Sequence, residues 1–159
     1  MGRVTLKSSD ELKVERWERM ENFNKFLPML KEFLGEIYGS PERGLQIYQS
    51  RYKVLDYYKN YRARPNSYLL VAKFKGEPVG WLYGRKRKEG GYVYDLFVKK
   101  EFRGKGIGRK LIEAFEKQVG LPLTAETHSK ALEAFKALGF KPKRSYFEDG
   151  VEWFFVEKS

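Results

Sequence analysis

Apolar positions along the chain change period twice. Residues 13–18 read as a short opening strand. From there Phe23, Phe26, Leu27, Leu30, Phe33, Leu34 and Ile37 recur at helical spacing, which predicts an amphipathic helix ending before Gly39. Pro28 has to lie in or near its first turn, where a missing N–H costs least. Ser40-Pro41-Glu42 is a second helix start: a capping hydroxyl, a proline at the first helical position, and an acid near the positive end of the dipole. Leu45, Tyr48, Tyr52, Leu55 and Tyr58 carry this helix to about residue 62.

After Pro65 the texture changes. Residues 67–74 and 78–83 read as strands joined by a Lys75-Gly76-Glu77 turn, and residues 92–98, after Gly90-Gly91, as a third. A glycine-rich segment follows, then a helix face made by Ile107, Leu111, Ile112, Phe115 and Val119. A short strand at 121–127 leads to a helix that Ser129 can cap, with Ala131, Leu132, Phe135 and Leu138 on its buried side and Gly139 closing it. Two last strands, near 140–148 and 151–157, meet at Asp149-Gly150, a strong hairpin signal. Helices, then antiparallel strands, then a β-α-β-α-β-β tail predict an α/β (α+β) fold. Its sheet is mixed and mostly antiparallel, with helices on both faces. With 159 residues and no linker or repeat, residues 1–159 read as a single domain.

Composition narrows the chemistry. The chain has no cysteine, which removes disulfides, thiolate metal sites and cysteine nucleophiles, and its one histidine, His128, has no second to share a zinc ion; no metal is expected. No apolar run approaches the roughly 18 residues of a membrane span, so no membrane partner is expected. The segment Met1-Gly2-Arg3-Val4-Thr5-Leu6 lacks the apolar core of a leader, which makes a cytoplasmic protein the expectation. The formal charge of +11 suits an anionic partner, whether nucleic acid, acidic surface or polyanionic small molecule, but an ordinary solvated Lys/Glu/Arg surface of thermophile type explains it equally well.

Residues 92–111 carry the most information. A strand runs into glycines at 104, 106 and 108 and directly into a helix. Glycine lets a ligand approach the backbone closely, and successive N–H groups at a helix N-terminus bind anions. Arg103, Lys105 and Arg109 add positive charge, so the segment reads as a phosphate or pyrophosphate cradle. A Walker loop is excluded, since no Gly-Lys-Ser/Thr follows a four-residue spacer. The dinucleotide fingerprint fails too, because residue 109 is Arg where its last glycine would stand, and too little chain remains for a doubly wound sheet.

Arg103-Gly104-Lys105-Gly106-Ile107-Gly108 resembles the R/Q-x-x-G-x-G/A signature of the GNAT superfamily of N-acetyltransferases, with the strand before it and the helix after it. The stretch ending Leu138-Gly139-Phe140 is similar to that superfamily's second signature, at a matching distance. The resemblance implies a GNAT-type fold, acetyl-CoA as co-substrate, direct transfer to an amine acceptor, and site residues by position. The backbone of Leu96, Phe97 and Val98 would pair with the pantetheine arm, and the Leu96 amide would polarise the thioester carbonyl. The segment Arg103, Gly104, Lys105, Gly106, Ile107, Gly108 and Arg109 would hold the pyrophosphate. His128 takes the position of the usual Asn, and Ala131 and Phe135 would line the cofactor. Phe135 also stands where relatives carry a Tyr acid, so proton donation is missing there. Tyr92 and Tyr94 fill positions of a frequent Glu base. Alternation along the strand turns Asp95 away from the cleft, leaving Tyr94 and Glu126 as catalytic candidates. The tyrosines at 48, 52, 57, 58 and 61 border the acceptor site in this reading. A homodimer is compatible with it. The rival class, a basic RNA-binding module without catalysis, explains the charge and the aromatics but has no stacking-platform motif and no need of both signatures; a nucleic-acid partner is therefore not favoured.

Overall fold

The computed structural model describes residues 11–159, so the expectation drawn from residues 1–6 lies outside them. Seven strands, β1 (Leu12–Arg16), β2 (Ser67–Phe74), β3 (Glu77–Lys86), β4 (Gly91–Val98), β5 (Leu123–His128), β6 (Lys141–Glu148) and β7 (Val151–Lys158), form one sheet in the order β1-β2-β3-β4-β5-β7-β6. β4 and β5 run parallel, and the other neighbouring pairs are antiparallel. Among the described residues five α-helices accompany them: α1 (Phe23–Tyr38), α2 (Pro41–Tyr52), α3 (Val54–Lys59), α4 (Ile107–Val119) and α5 (Leu132–Ala137). The α/β (α+β) architecture with a mostly antiparallel sheet is the one the periodicity predicts.

Period-two alternation divides the core. On β2, Tyr68, Leu70, Ala72 and Phe74 face α4, where Leu111, Ile112 and Phe115 meet them. Leu69 and Val71 face the other way, with Trp81 of β3, onto Phe26, Leu30, Phe33 and Leu34 of α1 and Tyr58 of α3. A strand buried on both faces needs apolar residues at nearly every position, which is why β2 reads as a continuous run. Each fully buried Leu or Phe contributes about 1.5–3 kcal/mol, so the two clusters hold the sheet from both sides. At the far end, Asp149 and Gly150 both adopt positive φ (53° and 75°), as a two-residue turn between β6 and β7 requires.

Three local expectations are corrected. The helix expected over 40–62 is two helices, broken where Lys53 takes a left-handed φ of 50°. Gln49 accepts from the Leu55 amide at 2.8 Å and donates to Asp56 at 2.9 Å, which fixes the break. The change of direction lets Val54 and Tyr58 reach the sheet. Pro28 lies just past the first turn of α1, since Asn22 caps that helix and Phe23 opens it. Ser129 does not cap α5; Ala131 occupies that position, and the Ser129 amide donates to the Glu152 carbonyl at 3.2 Å. No helix among the described residues is long and apolar enough to cross a membrane.

α1 and α2 cross at Gly44, which is buried. A Cβ there would stand 2.6 Å from Leu34 Cβ and 2.7 Å from the Leu34 carbonyl oxygen. Backbone cannot yield cheaply, so Gly44→Ala should destabilise the fold by about 1–3 kcal/mol through overpacking. Urea denaturation reads this as a lower midpoint at unchanged slope.

Candidate functional site

On β3, Tyr83 pairs with Asp95 and Gly84 with Val93, so Tyr94 has no partner. Such an extra residue is a β-bulge, which bends its strand. Before the bulge, Gly91, Tyr92 and Val93 pair with Leu123, Thr124 and Ala125 of β5; beyond it the two parallel strands no longer pair, and a gap opens between them. The Lys99 amide donates to the Val79 carbonyl at 2.8 Å. Antiparallel bonding alternates, so Asp95 and Phe97 bond to β3 while the peptide groups of Leu96 and Val98 face the gap.

The bulge also resets which side chain points where. Val93 packs with the α4 core, and strict alternation would send Asp95 the same way. The extra residue puts Asp95 and Phe97 on the face covered by α1–α3 instead, where Phe97 packs against Phe33 and Trp81 and Asp95 accepts a hydrogen bond from the Tyr58 hydroxyl. The expectation that Asp95 turns away is therefore corrected.

The gap continues into a cleft of about 710 Å³. Leu96, Phe97 and Val98 form one wall; Arg103, Gly104, Gly106, Ile107, Gly108 and Arg109 form the floor; and His128, Ala131 and Phe135 stand opposite. Every expected cofactor residue except Lys105 is on that lining. Gly104 and Gly106 hold φ of 77° and 81°, which glycine alone adopts freely. Gly108 has no such excuse, yet a Cβ there would meet nothing within 4 Å. The first intrahelical bond of α4 is Lys110 N–H to Gly106, so the amides of residues 107–109 are free to bind an anion.

Side chains supply less than expected. Those of Phe97 and Ile107 are buried in the core, leaving backbone at the cleft. Arg103 donates to Glu36 at 2.8 Å and to the Val98 carbonyl at 2.8 Å, and Arg109 to the Ala137 carbonyl at 2.9 Å. Both brace the walls and keep their charge beside the floor. Lys130 likewise donates to the Glu36 carbonyl at 3.1 Å, tying the end of α1 to the opposite wall. His128 is buried, and its Nδ1 has no hydrogen-bond partner. Burial holds its imidazole down to about 4, against the opposing pull of Glu36, so it is neutral near pH 7. Phe135 is packed on Phe140 with ring centroids 5.2 Å apart.

Tyr94 and Glu126 lie elsewhere. Past Leu96, His128 and Phe135 the cleft narrows to a space of about 30 Å³ that Tyr94, Asp95 and Glu126 also touch. Beyond is a second cavity of about 420 Å³, walled by the tyrosines of α2 and α3 with Tyr83, Tyr92, Tyr94 and Trp153. Tyr94 is 42% exposed and stacks on Tyr83 at 5.2 Å. Glu126 accepts from the Tyr146 hydroxyl at 2.8 Å. Burial raises the Asp95 carboxyl from an ordinary 3.8 to about 6, with the Tyr58 hydrogen bond pulling the other way. Of the five tyrosines named from the sequence, those at 48, 52, 57 and 58 line this cavity; Tyr61, past the end of α3, is buried and not on its lining. Asp95, Arg85, Tyr83 and Trp153 were not legible as site residues, because nothing in the sequence marks the bulge or the break at Lys53.

Similar proteins agree on the architecture. The chain is 38% identical over 86 residues to an uncharacterized N-acetyltransferase of Archaeoglobus fulgidus, covering 48% of this chain and 58% of that one. It is 31% identical over 130 residues to an uncharacterized N-acetyltransferase of Methanocaldococcus jannaschii, covering 72% of this chain and 57% of the relative. The chain thus spans less than two thirds of the length of either relative. Among solved structures, a PaiA N-acetyltransferase from Thermoplasma acidophilum in complex with coenzyme A superposes with a TM-score of 0.71 at 18% identity, covering 92% of this chain and 99% of that one. An acyl-CoA N-acyltransferase from Pseudomonas aeruginosa gives 0.62 at 16%, covering 93% and 99%. The family model for the acetyltransferase (GNAT) domain matches residues 41–158, most of the chain. With both signature segments set around one splayed strand pair, the protein belongs to the GNAT acetyltransferase family.

Proposed function

We propose that this chain is an acetyl-CoA-dependent N-acetyltransferase that transfers acetyl directly to a primary amine. The observation that carries this is the row of cavities with shared walls, from the glycine-floored cleft, past the β4 peptide groups that lack a strand partner, to a second cavity with two carboxylates at its entrance. The pyrophosphate would lie on the amides that open α4 and the pantetheine arm along the gap, where the peptide groups of Leu96 and Val98 have lost a strand partner. His128 would pack its neutral ring beside that arm.

At the narrow junction, the Leu96 amide would hold the thioester carbonyl as negative charge develops on its oxygen. An ammonium reaching the junction gives one proton to Asp95; the freed amine attacks the thioester carbon, the carbon–sulfur bond breaks, and the second N–H proton passes to the departing sulfur, so that the products are an amide and the CoA thiol. A carboxylate that titrates near 6 is ionised at neutral pH and basic enough to assist. Glu126, hydrogen-bonded by Tyr146, would hold the incoming cation. Phe135 cannot protonate the sulfur, and a thiol with a pKa near about 8.5 needs little help.

The open space at Gly108 gives a test of the donor site. Gly108→Leu removes a helix-weakening glycine worth up to about 1 kcal/mol, and its Cβ meets nothing within 4 Å, so its melting temperature should match or exceed the parent. Its side chain would fill the floor of the cleft, and calorimetry should show CoA affinity lowered about tenfold or more, the cost of lost phosphate contacts. Undiminished CoA binding by the folded variant would show that the ligand lies elsewhere.

The role of Asp95 predicts a pH limb. With saturating amine, turnover should rise through about pH 6, and Asp95→Asn should abolish the limb and lower turnover by about 10²–10⁴-fold. Glu126→Gln should keep it; loss of the limb in that variant alone would transfer the role to Glu126. Stability runs the opposite way. Between pH 4 and pH 6 the folded chain holds a proton that the unfolded chain has released, so stability falls as pH rises through this window. At pH 7 Asp95→Asn should therefore be more stable than the parent by about 1–3 kcal/mol, read as a higher melting temperature.

A further inference from the structure

The second cavity has opposite charge at its two ends. Asp95 and Glu126 stand at the junction, and Arg85 is on the lining toward the outer end. The strand register fixes this spacing. Tyr83 pairs with Asp95, and Arg85 lies two residues further along β3, about 7 Å away by strand rise. Gly84 between them faces Phe115 of α4, where a Cβ would come within 2.6 Å of the ring. Tyr83 and Arg85 consequently project together on the opposite face, into the cavity.

Arg85 differs from the ion-paired arginines of the site. Arg51 is paired with Glu148 and Asp149, and Arg103 with Glu36. Among the described residues Arg85 enters no such ion pair, although it is exposed at the cavity mouth. Arg87 supports the same pole from above Tyr92, 4.9 Å from its ring centroid. Between the poles the walls are tyrosine: Tyr57 and Tyr94 are 43% and 42% exposed, large aromatic surface left facing the cavity. Such walls suit a carbon chain, and their faces attract a cation travelling toward the carboxylates.

Building on the acetyltransferase reading, the geometry points to an acceptor that is itself dipolar: a primary amine carrying a carboxylate or phosphate at its other end, with Arg85 as the residue that selects the anion. The planar guanidinium offers parallel donors to a carboxylate or phosphate, which a lysine in its place could not present in the same fork. A simple alkylamine would leave Arg85 unused. A diamine would bring a second positive charge against it in a chain already at +11. An ω-amino acid and a peptide whose amino terminus precedes an acidic side chain share this chemistry.

The test is steady-state release of CoA with δ-aminovalerate, n-pentylamine and cadaverine, alongside peptides beginning Ala-Asp and Ala-Lys. The parent should favour δ-aminovalerate over n-pentylamine by about tenfold or more in kcat/KM, chiefly through KM, with cadaverine poorest. Arg85→Gln should erase this preference, Arg85→Lys should restore part of it, and Arg85→Glu should turn it toward cadaverine. A preference for Ala-Asp over Ala-Lys with none among the small amines assigns the anion to a peptide; the reverse assigns it to a small molecule. Acetylation with no charge preference, or a preference that survives Arg85→Gln in a folded variant, overturns the inference and leaves the acetyltransferase reading standing. Failure of the parent to bind CoA overturns both.

Discussion

A parallel strand pair can be pried apart only where something relieves it of its hydrogen bonds, and here that is the unpaired Tyr94 in β4. The strand bends, its pairing with β5 ends at Val93, and the peptide groups of Leu96 and Val98 are left facing a gap. Buried backbone groups without partners are costly, so a gap of this kind persists only as a site that water or a ligand can enter. The same extra residue rotates Asp95 onto the face where Tyr58 waits, so one local irregularity creates both the opening and the carboxylate beside it. The glycine floor, the helix dipole and the second cavity are arranged around that opening.

Charge in this molecule is less freely available than its total suggests. Arg103, Arg109 and Lys130 all border the cleft, yet each spends hydrogen bonds on carbonyls or on Glu36. Their charge remains, but their geometry is committed to holding α1, β4 and α5 in register around the gap. An anion on the floor would be met first by backbone amides, which carry no side-chain entropy to lose.

Much of the fold was readable because its signals are local. The two-residue turn at Asp149-Gly150, the Ser40-Pro41 helix start and the glycine segment before α4 each encode their geometry in residue type. The donor-side residues were legible for the same reason, since backbone and glycine define that wall. Asp95 was misplaced because alternation is a rule that one inserted residue reverses, and a bulge formed by Tyr94 has no signature among its β-prone neighbours. The break at Lys53 was hidden in the same way: a lysine with φ of 50° is held there by Gln49 and Asp56, contacts that form only once the chain has turned. Ser129 looks like a cap, but its amide is taken by β7 before the helix begins.

The sheet divides the molecule into two hydrophobic cores that share almost no side chains. The floor and far wall of the first cleft grow from the α4 core, while the helical wall of the second cavity grows from the α1–α3 core. Sequence drift in one core would deform one wall and leave the other standing. A lineage of such proteins could therefore exchange the chemistry of one substrate repeatedly over evolutionary time, with the handling of the other inherited unaltered on the opposite side of the same strands.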